Sequence, residues 1–548
     1  MKPAHESENA SIPVHDRKRV VADLITSARD ACADKTAAFQ GSSTITYGEL
    51  CEGSERLGRF LRDLGVEKGD RVCFYLEKMF EKIMSIFGIS MAGGVFVPIN
   101  RLSKPGQAVH ILNDSGARIL ITTASRLTSL TDVIHEVNSL QTVISIGPVR
   151  DIEAPPGISV IEWGEIMDRP GGSVPGVHVS EHDLAAILYT SGSTGKPKGV
   201  VLSHQNIMAG MCKISEYLKI TPGDRLLSIL SFGFDYGLNQ LTTAFGQCAQ
   251  IVLADYLFPR DIIKAVERYE ITGLASVAHT WIQLLQVPWE GTAMSSLRYI
   301  TNSGGAIPAH LVLELKRRLP HTEIFLMYGL TEAFRSTYLP PELVEKHPSS
   351  IGRAVPGEEI MVLGPGDRPV QPGGTGELVH RGVLVSQGYW NDPGLTAVRF
   401  RPNPLQPPEV PLREMVVYSG DQVRIDEEGL LYFIGRWDEM IKCAGNRISP
   451  TEVEEVIYQC SGVADAVALG VPHETYGQSV LAVVSLTGQA ALTETDILEY
   501  CRDGMPSYMV PSEVEIWDSL PRNSNGKLDR AAIRKAVLDR KELQVANE

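Results

Sequence analysis

The chain has 548 residues, of which 43% are hydrophobic and 21% charged, and its formal net charge at pH 7 is −15. This length is too great for one hydrophobic core, so we expect at least two domains. The acidic excess argues against general nucleic-acid binding, which needs a basic face. The eight cysteines are scattered, a pattern that favours reduced thiols and a cytoplasmic protein.

Residues 1–20 are polar and charged, which predicts a flexible tail and no signal peptide. The longest apolar stretch, residues 83–99, is short for a membrane span and contains Gly88, Gly93, Gly94 and Pro98. It predicts a buried helix followed by a strand. We therefore expect no membrane span.

From about residue 21 to 150, and again from about 180 to 330, helical patterns alternate with short β-like runs. The clearest helical patterns cover residues 47–65, 259–269 and 309–318. The clearest strand patterns cover residues 71–75, 95–99, 119–123, 226–229, 251–254, 297–302 and 323–327. This alternation is typical of parallel sheets covered by helices on both faces.

Beyond residue 350 the pattern changes, because Gly and Pro separate short β runs up to about residue 435. A charged segment at 435–439 then leads into a final piece with its own helices and strands, which is large enough to fold separately. We predict an α/β fold. A large N-terminal domain (21–436) combines parallel sheets, flanking helices and a small β subdomain, and a small mobile α+β C-terminal domain (437–548) follows.

The loop at residues 190–199 has the composition of a phosphate-binding loop, since its glycines, hydroxyls and lysines offer N–H, O–H and ammonium donors together. It is not the loop of nucleotide hydrolases, because Gly192 and Gly195 are too close together and Pro197 follows Lys196. A flexible linker is the alternative. The apolar runs 184–189 and 200–202 argue against it, because they predict buried strands on both sides.

This loop resembles the phosphate-loop signature of the adenylate-forming superfamily, which includes acyl-CoA synthetases, amino-acid adenylation enzymes and beetle luciferases. Five later blocks match in the same order: Tyr-Gly-Leu-Thr-Glu at 328–332, Gly-Glu-Leu at 376–378, Tyr-Ser-Gly-Asp at 418–421, Gly-Arg-Trp-Asp at 435–438 and Pro-Arg-Asn-Ser-Asn-Gly-Lys-Leu at 521–528. The resemblance covers nearly the whole chain after residue 20. The runs 234–241 and 328–341 also look like the acyl-CoA ligases associated with bacterial exosortase systems.

The resemblance implies that ATP, with Mg²⁺, activates a carboxylic acid as acyl-AMP, and that the acyl group then passes to a thiol. Lys527 would be the catalytic lysine between the carboxylate and the α-phosphate, Thr331 would contact the α-phosphate and Glu332 would bind Mg²⁺. The residues that would bind ATP are Thr190, Ser191, Gly192, Ser193, Thr194, Gly195, Lys198, Tyr328, Gly329, Asp421 and Arg436. Without the resemblance, each residue has a simpler interpretation. Lys527 would be a solvated lysine, Asp421 a turn residue and Glu332 an acid favoured at a helix N-terminus.

In the superfamily the small domain turns about the position of Asp438, and Gly445 would let the thiol approach the acyl-adenylate. The thiol would belong to coenzyme A or to the phosphopantetheine of a carrier protein. We find no carrier attachment site after residue 530, so we expect any carrier protein to be a separate chain. Two rival functions share the adenylate site: an oxygenase of the luciferase type and a non-catalytic adenylate-binding regulator. The intact Lys527, Glu332 and Asp421 argue against the regulator.

Matching to the same family places the acyl pocket at Asp235, Tyr236, Asn239, Ser276, Thr301, Ser303, Met327, Arg335 and Ser336. A long alkyl chain would leave these polar groups unpaired, at about 1–3 kcal/mol each. We therefore expect a small polar acid, with an amino acid as one candidate because Asp235 stands where amino-acid adenylation enzymes pair the α-ammonium. Arg335 would suit a second carboxylate or phosphate on the substrate. Alternatively, Asp235 and Arg335 pair with each other.

Overall fold

The computed structural model describes residues 19–149, 157–190, 197–289, 294–437, 439–443, 446–473, 477–488, 490–523 and 526–545. The helices are α1 (Ala22–Cys32), α2 (Tyr47–Asp63), α3 (Phe80–Met91), α4 (Pro105–Ser115), α5 (Ala124–Leu130), α6 (Trp163–Met167), α7 (His204–Tyr217), α8 (Asp235–Gly246), α9 (Pro259–Tyr269), α10 (Ala278–Gln286), α11 (Ala309–Arg318), α12 (Pro393–Arg399), α13 (Pro450–Gln459), α14 (Glu494–Gly504) and α15 (Arg530–Val545). The strands are β1 (Thr36–Gln40), β2 (Ser43–Thr46), β3 (Arg71–Tyr75), β4 (Val95–Pro98), β5 (Ile119–Thr123), β6 (Thr142–Ile146), β7 (Ser159–Glu162), β8 (Leu184–Thr190), β9 (Lys198–Ser203), β10 (Arg225–Ser228), β11 (Gln250–Leu253), β12 (Gly273–Ser276), β13 (Tyr299–Asn302), β14 (Glu323–Tyr328), β15 (Thr337–Leu339), β16 (Arg353–Ala354), β17 (Glu359–Leu363), β18 (Thr375–Arg381), β19 (Phe400–Pro402), β20 (Met415–Ile425), β21 (Leu431–Arg436), β22 (Ile441–Cys443), β23 (Asn446–Ile448), β24 (Val463–His473), β25 (Gly477–Leu486) and β26 (Glu513–Ile516).

Two large, mostly parallel sheets form the main body of the described chain. One has the strand order β7-β6-β5-β3-β4-β8-β9, and its strands are parallel except for the antiparallel pair β8–β9. The other has the order β16-β15-β14-β13-β12-β10-β11-β1-β2, with antiparallel pairing at both ends. The predicted α/β class with parallel sheets is thus confirmed.

A single apolar core joins the two sheets, with helices between them. Residues of β3 and β4 and residues of β10 and β11 belong to the same buried cluster. Within it, Phe87 of α3 stacks on Phe245 of α8, with ring centroids 5.5 Å apart. The predicted buried helix and strand at 83–99 are confirmed as α3 and β4. No helix in the described segments is long and apolar enough to cross a membrane.

Two smaller sheets follow the large ones. Strands β17–β21 form an antiparallel sheet, as the β runs between 350 and 435 predict. Strands β22–β26 form a mixed sheet, in which β26 runs parallel to β25, and it packs against α13 and α14 around its own apolar core. Helix α13 begins at Pro450, where Ser449 caps it by accepting the N–H of Glu452. The boundary at residues 436 and 437 stays a prediction, and most of the predicted tail (1–18) lies outside the described residues.

The parallel strands of the nine-stranded sheet determine where polar side chains meet. Strands β12, β13 and β14 are neighbours in parallel register, so their carboxyl ends share one edge of the sheet. Ser276, Asn302 and Tyr328 are the last residues of these strands, and Ser303 and Gly304 follow β13 directly. The chain after β14 turns through a short 3₁₀ helix, Thr331–Ala333, which lies at the same edge.

Candidate active site

Lys527 lies over the turn that follows β13. A Cβ atom added to Gly304 would be 2.7 Å from Cε of Lys527 and 3.1 Å from its Nζ, and Gly304 has a φ of +81°. Glycine is therefore required here both by the backbone conformation and by the close approach of the lysine. A lysine from the end of the chain is thus brought to the edge of the large sheet.

A tight turn presents Lys527. The N–H of Asn523 donates to the carbonyl of Lys527 at 2.8 Å, and the N–H of Lys527 donates to Oδ1 of Asn523 at 3.1 Å. Gly526, with a φ of +79°, supplies the left-handed conformation that the turn needs. Two strand-like positions, Arg522 and Leu528, bridge across its base. The lysine is therefore held by backbone geometry.

The environment of Lys527 is enclosed and rich in charge. Burial lowers the pKa of its ammonium, whereas the carboxylates of Asp235 and Asp421 act in the opposite direction. Arg335 adds to the lowering and Glu332 opposes it. Charged residues from four separate chain segments thus act on one another here, as expected of a binding cleft.

Asp421 and Arg436 face each other on the paired strands β20 and β21. Nη1 of Arg436 lies 3.2 Å from Oδ1 of Asp421, and the hydroxyl of Tyr328 donates to Oδ2. Burial raises the pKa of Asp421, and the charge of Arg436 opposes this rise. Among the described residues, Oδ1 has no hydrogen-bond donor of ordinary geometry, so this oxygen can accept a hydroxyl of a ligand.

Glu332 lies on the 3₁₀ helix and accepts a hydrogen bond from the hydroxyl of Tyr389 at 2.5 Å. Nζ of Lys198 stands 5.3 Å from the centroid of the Tyr389 ring. Burial lowers the pKa of Lys198, and Glu332 is the main group that opposes this. Lys198 pairs with Thr190 at the loop end of the β8–β9 hairpin.

The donor set suits Mg²⁺ only if a ligand supplies further oxygens. No group of three or more His, Cys, Asp and Glu side chains within the described segments could hold a metal ion by itself. Mg²⁺ usually keeps waters and is bound by one or two carboxylates plus phosphate oxygens. Glu332 therefore fits a magnesium ion that is shared with a nucleotide.

Asp235 and Arg335 form a buried ion pair. Oδ2 of Asp235 accepts from Nη1 of Arg335 at 2.9 Å, and Oδ1 accepts from the hydroxyl of Thr331 at 3.0 Å. The backbone of Gly329 runs alongside, since a Cβ there would be 3.6 Å from Nη1. Of the two possibilities left open by the sequence, the structure thus has the internal pair.

A small cavity of about 20 Å³ lies behind this ion pair, and it has room for about one water molecule. The predicted pocket residues in its wall are Tyr236, Asn239, Thr301, Met327 and Arg335. The other wall residues, which the sequence interpretation missed, are Ile214, Leu218, Leu226, Gln240, Thr243, Ala275 and Tyr299. The cavity is therefore polar in one part and apolar in another.

Signals for some missed residues were present in the sequence. Tyr299 and Thr301 are two apart on one strand and therefore share a face, and Ile214 and Leu218 are spaced by one helical turn. Of the remaining predicted pocket residues, Ser276 and Ser303 are in backbone contact at 3.4 Å. Ser336 borders a tighter space together with Glu358 and His380.

Several predicted site residues lie outside the described residues. They are Ser191, Gly192, Ser193, Thr194 and Gly195 of the loop, Asp438 of the predicted hinge, and Gly445 of the predicted thiol path. The described residues that converge on one cleft are Thr190, Lys198, Asp235, Tyr328, Gly329, Thr331, Glu332, Arg335, Asp421, Arg436 and Lys527.

Comparison with known sequences gives matches along most of the chain. A family model described as AMP-binding enzyme matches residues 25–390, and one described as AMP-binding enzyme C-terminal domain matches residues 452–527. Feruloyl-CoA synthase of Amycolatopsis sp is 31% identical over 509 residues, which are 91% of this chain and 95% of that protein. Gramicidin S synthase 2 of Aneurinibacillus migulanus is 30% identical over 90% of this chain, but the chain spans only 10% of that protein.

Solved structures are similar over nearly the whole chain. The anthranilate CoA ligase AuaEII in complex with anthranoyl-AMP has a TM-score of 0.85 at 23% identity, covering 96% of this chain and 99% of that one. ATP-bound MatB from Rhodopseudomonas palustris has a TM-score of 0.82 at 25% identity, covering 94% of this chain and 98% of that one.

Proposed function

This chain belongs to the AMP-binding enzyme family, and we propose that it is an ATP-dependent acid–thiol ligase acting on a small carboxylic acid. In the first step an oxygen of the acid forms a bond to the α-phosphorus of ATP. The bond from that phosphorus to the bridging oxygen breaks, and pyrophosphate leaves. In the second step a thiolate attacks the acyl carbon, and AMP leaves.

The observation that carries this proposal is the position of Lys527 over Gly304, within the field of Asp235, Asp421 and Glu332. Negative charge concentrates on the phosphoryl oxygens as the acid attacks. A fixed ammonium at that point stabilises the transition state more than the bound substrates. We assign Lys527 this role and Thr331 a contact to the α-phosphate.

The remaining polar groups fit the other parts of the nucleotide. Oδ1 of Asp421, which has no hydrogen-bond donor among the described residues, would accept a ribose hydroxyl, Arg436 would add donors beside it, and the ring of Tyr328 would stack on the adenine. Lys198 and Thr190, with the loop between them, would hold the β- and γ-phosphates. A magnesium ion on Glu332 would offset the phosphate charge.

The ion pair bears on which acid is bound. An amino acid would have to share Asp235 with Arg335 and Thr331, and its ammonium would stand close to the positive charges of Arg335 and Lys527. Nε and Nη2 of Arg335 and Nδ2 of Asn239 have no hydrogen-bond partner among the described residues. Because Asp235 already balances the charge of Arg335, these donors favour an uncharged acceptor. We therefore infer a small acid that carries a hydroxyl or carbonyl group.

An exchange assay tests the reaction. The full chain is incubated with ATP, Mg²⁺, labelled pyrophosphate and each of a panel of acids: small hydroxy and keto acids, dicarboxylates, aromatic acids, amino acids and long-chain fatty acids. We expect acid-dependent exchange, strongest with small uncharged-polar acids, and AMP as the nucleotide product. Formation of ADP and orthophosphate would overturn the proposal, and a preference for long fatty acids would overturn the substrate assignment.

The acceptor is proposed to be a pantetheine thiol, which coenzyme A and a carrier protein have in common. Coenzyme A and a phosphopantetheine-loaded carrier protein are offered separately with the best acid, and mass spectrometry detects the thioester. Oxygen consumption is followed in the same reactions. Oxygen uptake dependent on the acyl-adenylate would favour the oxygenase alternative, whereas a thioester without oxygen uptake supports the ligase.

A further inference from the structure

Arg522 connects the turn of Lys527 to the large sheets through a histidine. Its Nη1 donates to the carbonyl of Gly526 at 3.0 Å, and its Nη2 donates to Oδ1 of Asp465 on β24 at 2.6 Å. The same Nη2 lies 2.6 Å from Nδ1 of His279, in the first turn of α10. One guanidinium thus touches the lysine turn, the C-terminal sheet and a helix of the main body.

The direction of the contact with His279 follows from chemistry. A guanidinium has donors and no acceptor, so Nδ1 of His279 accepts and its proton must be on Nε2. Asp465 lies 3.6 Å from the same nitrogen and pairs with Arg522. Burial acts against ionisation of Asp465, but the hydrogen bond and the charge of Arg522 outweigh this and hold the pKa below its ordinary value. The three side chains therefore form a satisfied network.

The network is built where the C-terminal piece meets the large sheets. The exposed fractions of the His279, Asp465 and Arg522 side chains are 24%, 12% and 20%, so the contact is largely shielded from water. Close by, a Cβ on Gly526 would lie 3.9 Å from Cγ2 of Val277, the residue before α10. The start of α10 thus supports the turn that carries Lys527.

We propose that His279, Arg522 and Asp465 are positioning residues that hold the C-terminal piece in the orientation required for adenylate formation. This inference rests on the proposed function for the role of Lys527, but the contact itself does not. Arginine suits the position because its planar fork reaches several acceptors at once, which a lysine ammonium on a flexible stem does not. A thiol-transfer step that uses another orientation has no need of this contact.

The test compares His279→Leu, which removes the acceptor, with His279→Asn, whose amide oxygen can take the place of Nδ1. A matched control is His321→Ala, an exposed histidine before β14. Acid-dependent pyrophosphate exchange and thioester formation from supplied acyl-adenylate are measured for each. Hydrogen–deuterium exchange of peptides covering residues 277–286 and 520–530 is measured in parallel.

We expect His279→Leu to lower pyrophosphate exchange at least about tenfold, the usual cost of losing a hydrogen bond to a charged group. Deuterium uptake should rise in both peptides, and thioester formation should be unchanged. His279→Asn should restore both measurements, and His321→Ala should match the unaltered chain. Unchanged deuterium uptake in His279→Leu, or equal loss of both half-reactions, would overturn the proposal. If no acid supports exchange, the proposed function fails while deuterium uptake still decides the contact.

Discussion

Nη1 of Arg335 lies 2.9 Å from Oδ2 of Asp235, and the two side chains are only 1% and 10% exposed. The guanidinium also lies over the ring of Tyr236, with its central carbon 4.5 Å from the ring centroid. Because Tyr236 in turn contacts Thr301, the pair fixes one wall of the cavity behind the cleft. Breaking it by removing one partner leaves a buried charge without compensation.

The first prediction concerns the stability that this pair confers. Arg335→Met should lower the free energy of unfolding by about 3–5 kcal/mol, because it strands the Asp235 carboxylate. The double variant Arg335→Met with Asp235→Asn should recover most of that loss, since neither charge remains. Unfolding in urea is measured for Arg335→Met, for Asp235→Asn and for the double variant. If the loss of unfolding free energy in the double variant equals the sum of the losses in the two single variants, the two side chains are not coupled.

The second prediction concerns Lys527. Lys527→Ala should reduce acid-dependent pyrophosphate exchange by at least about 10²-fold, by analogy with the loss of one transition-state donor. Thioester formation from supplied acyl-adenylate should persist, because the thiolate attacks the acyl carbon and no bond to the α-phosphorus forms or breaks in that step. Lys535→Ala, an exposed lysine on α15, is the matched control and should leave both rates unchanged. Equal loss of both half-reactions in Lys527→Ala would contradict the assignment.

Much of the fold could be predicted because local patterns determine it. Helices α9 and α11 have the bounds that the sequence predicts, and the strand predicted at 297–302 begins two residues later at Tyr299. Ordered motifs were sufficient for the family, which the matches confirm. The exosortase-associated subgroup, the cytoplasmic location, the hinge at Asp438 and the role of Gly445 stay predictions.

The contacts that join distant segments could not be predicted. His279 and Arg522 are 243 residues apart, so no periodicity or spacing relates them. The apolar part of the cavity wall combines residues of α7 and β10. These residues lie in none of the sequence motifs, so the motifs could not predict them. The Asp235–Arg335 pair could be named as one of two possibilities, but only the three-dimensional arrangement decides between them.

The third prediction is a pH dependence of stability caused by His380. Burial lowers the pKa of His380 from 6.5 to about 3, and neither ring nitrogen has a hydrogen-bond partner in the described part of the chain. In the unfolded chain this histidine takes up a proton below about pH 6.5, whereas in the folded chain it stays neutral. The free energy of unfolding is therefore unaffected by this titration above about pH 6.5, and it decreases progressively as the pH falls towards 3.

His380→Leu removes this titration. Relative to the unaltered chain, the variant should gain about 2 kcal/mol of unfolding free energy at pH 5 beyond any difference at pH 8, since one pKa unit corresponds to about 1.4 kcal/mol. Urea unfolding at the two pH values measures the difference. His321→Leu serves as the control, because that histidine is exposed. A gain of the same size at both pH values would rule out the buried neutral state as its cause.

The fourth prediction concerns the side chain that orients Glu332. The hydroxyl of Tyr389 donates to Oε1 of Glu332, and burial together with that carboxylate raises the pKa of the Tyr389 phenol, so it remains a donor at neutral pH. Tyr389→Phe keeps the ring beside Lys198 and removes only this hydrogen bond. Outer partners of metal ligands typically account for about 10–100-fold in metal affinity. The magnesium concentration for half-maximal pyrophosphate exchange should therefore rise at least about tenfold, with little change in the rate at saturating magnesium. The control is Tyr418→Phe, which removes the hydroxyl of a tyrosine on β20. A lower rate at saturating magnesium in Tyr389→Phe would instead place the Tyr389 hydroxyl in the chemical step.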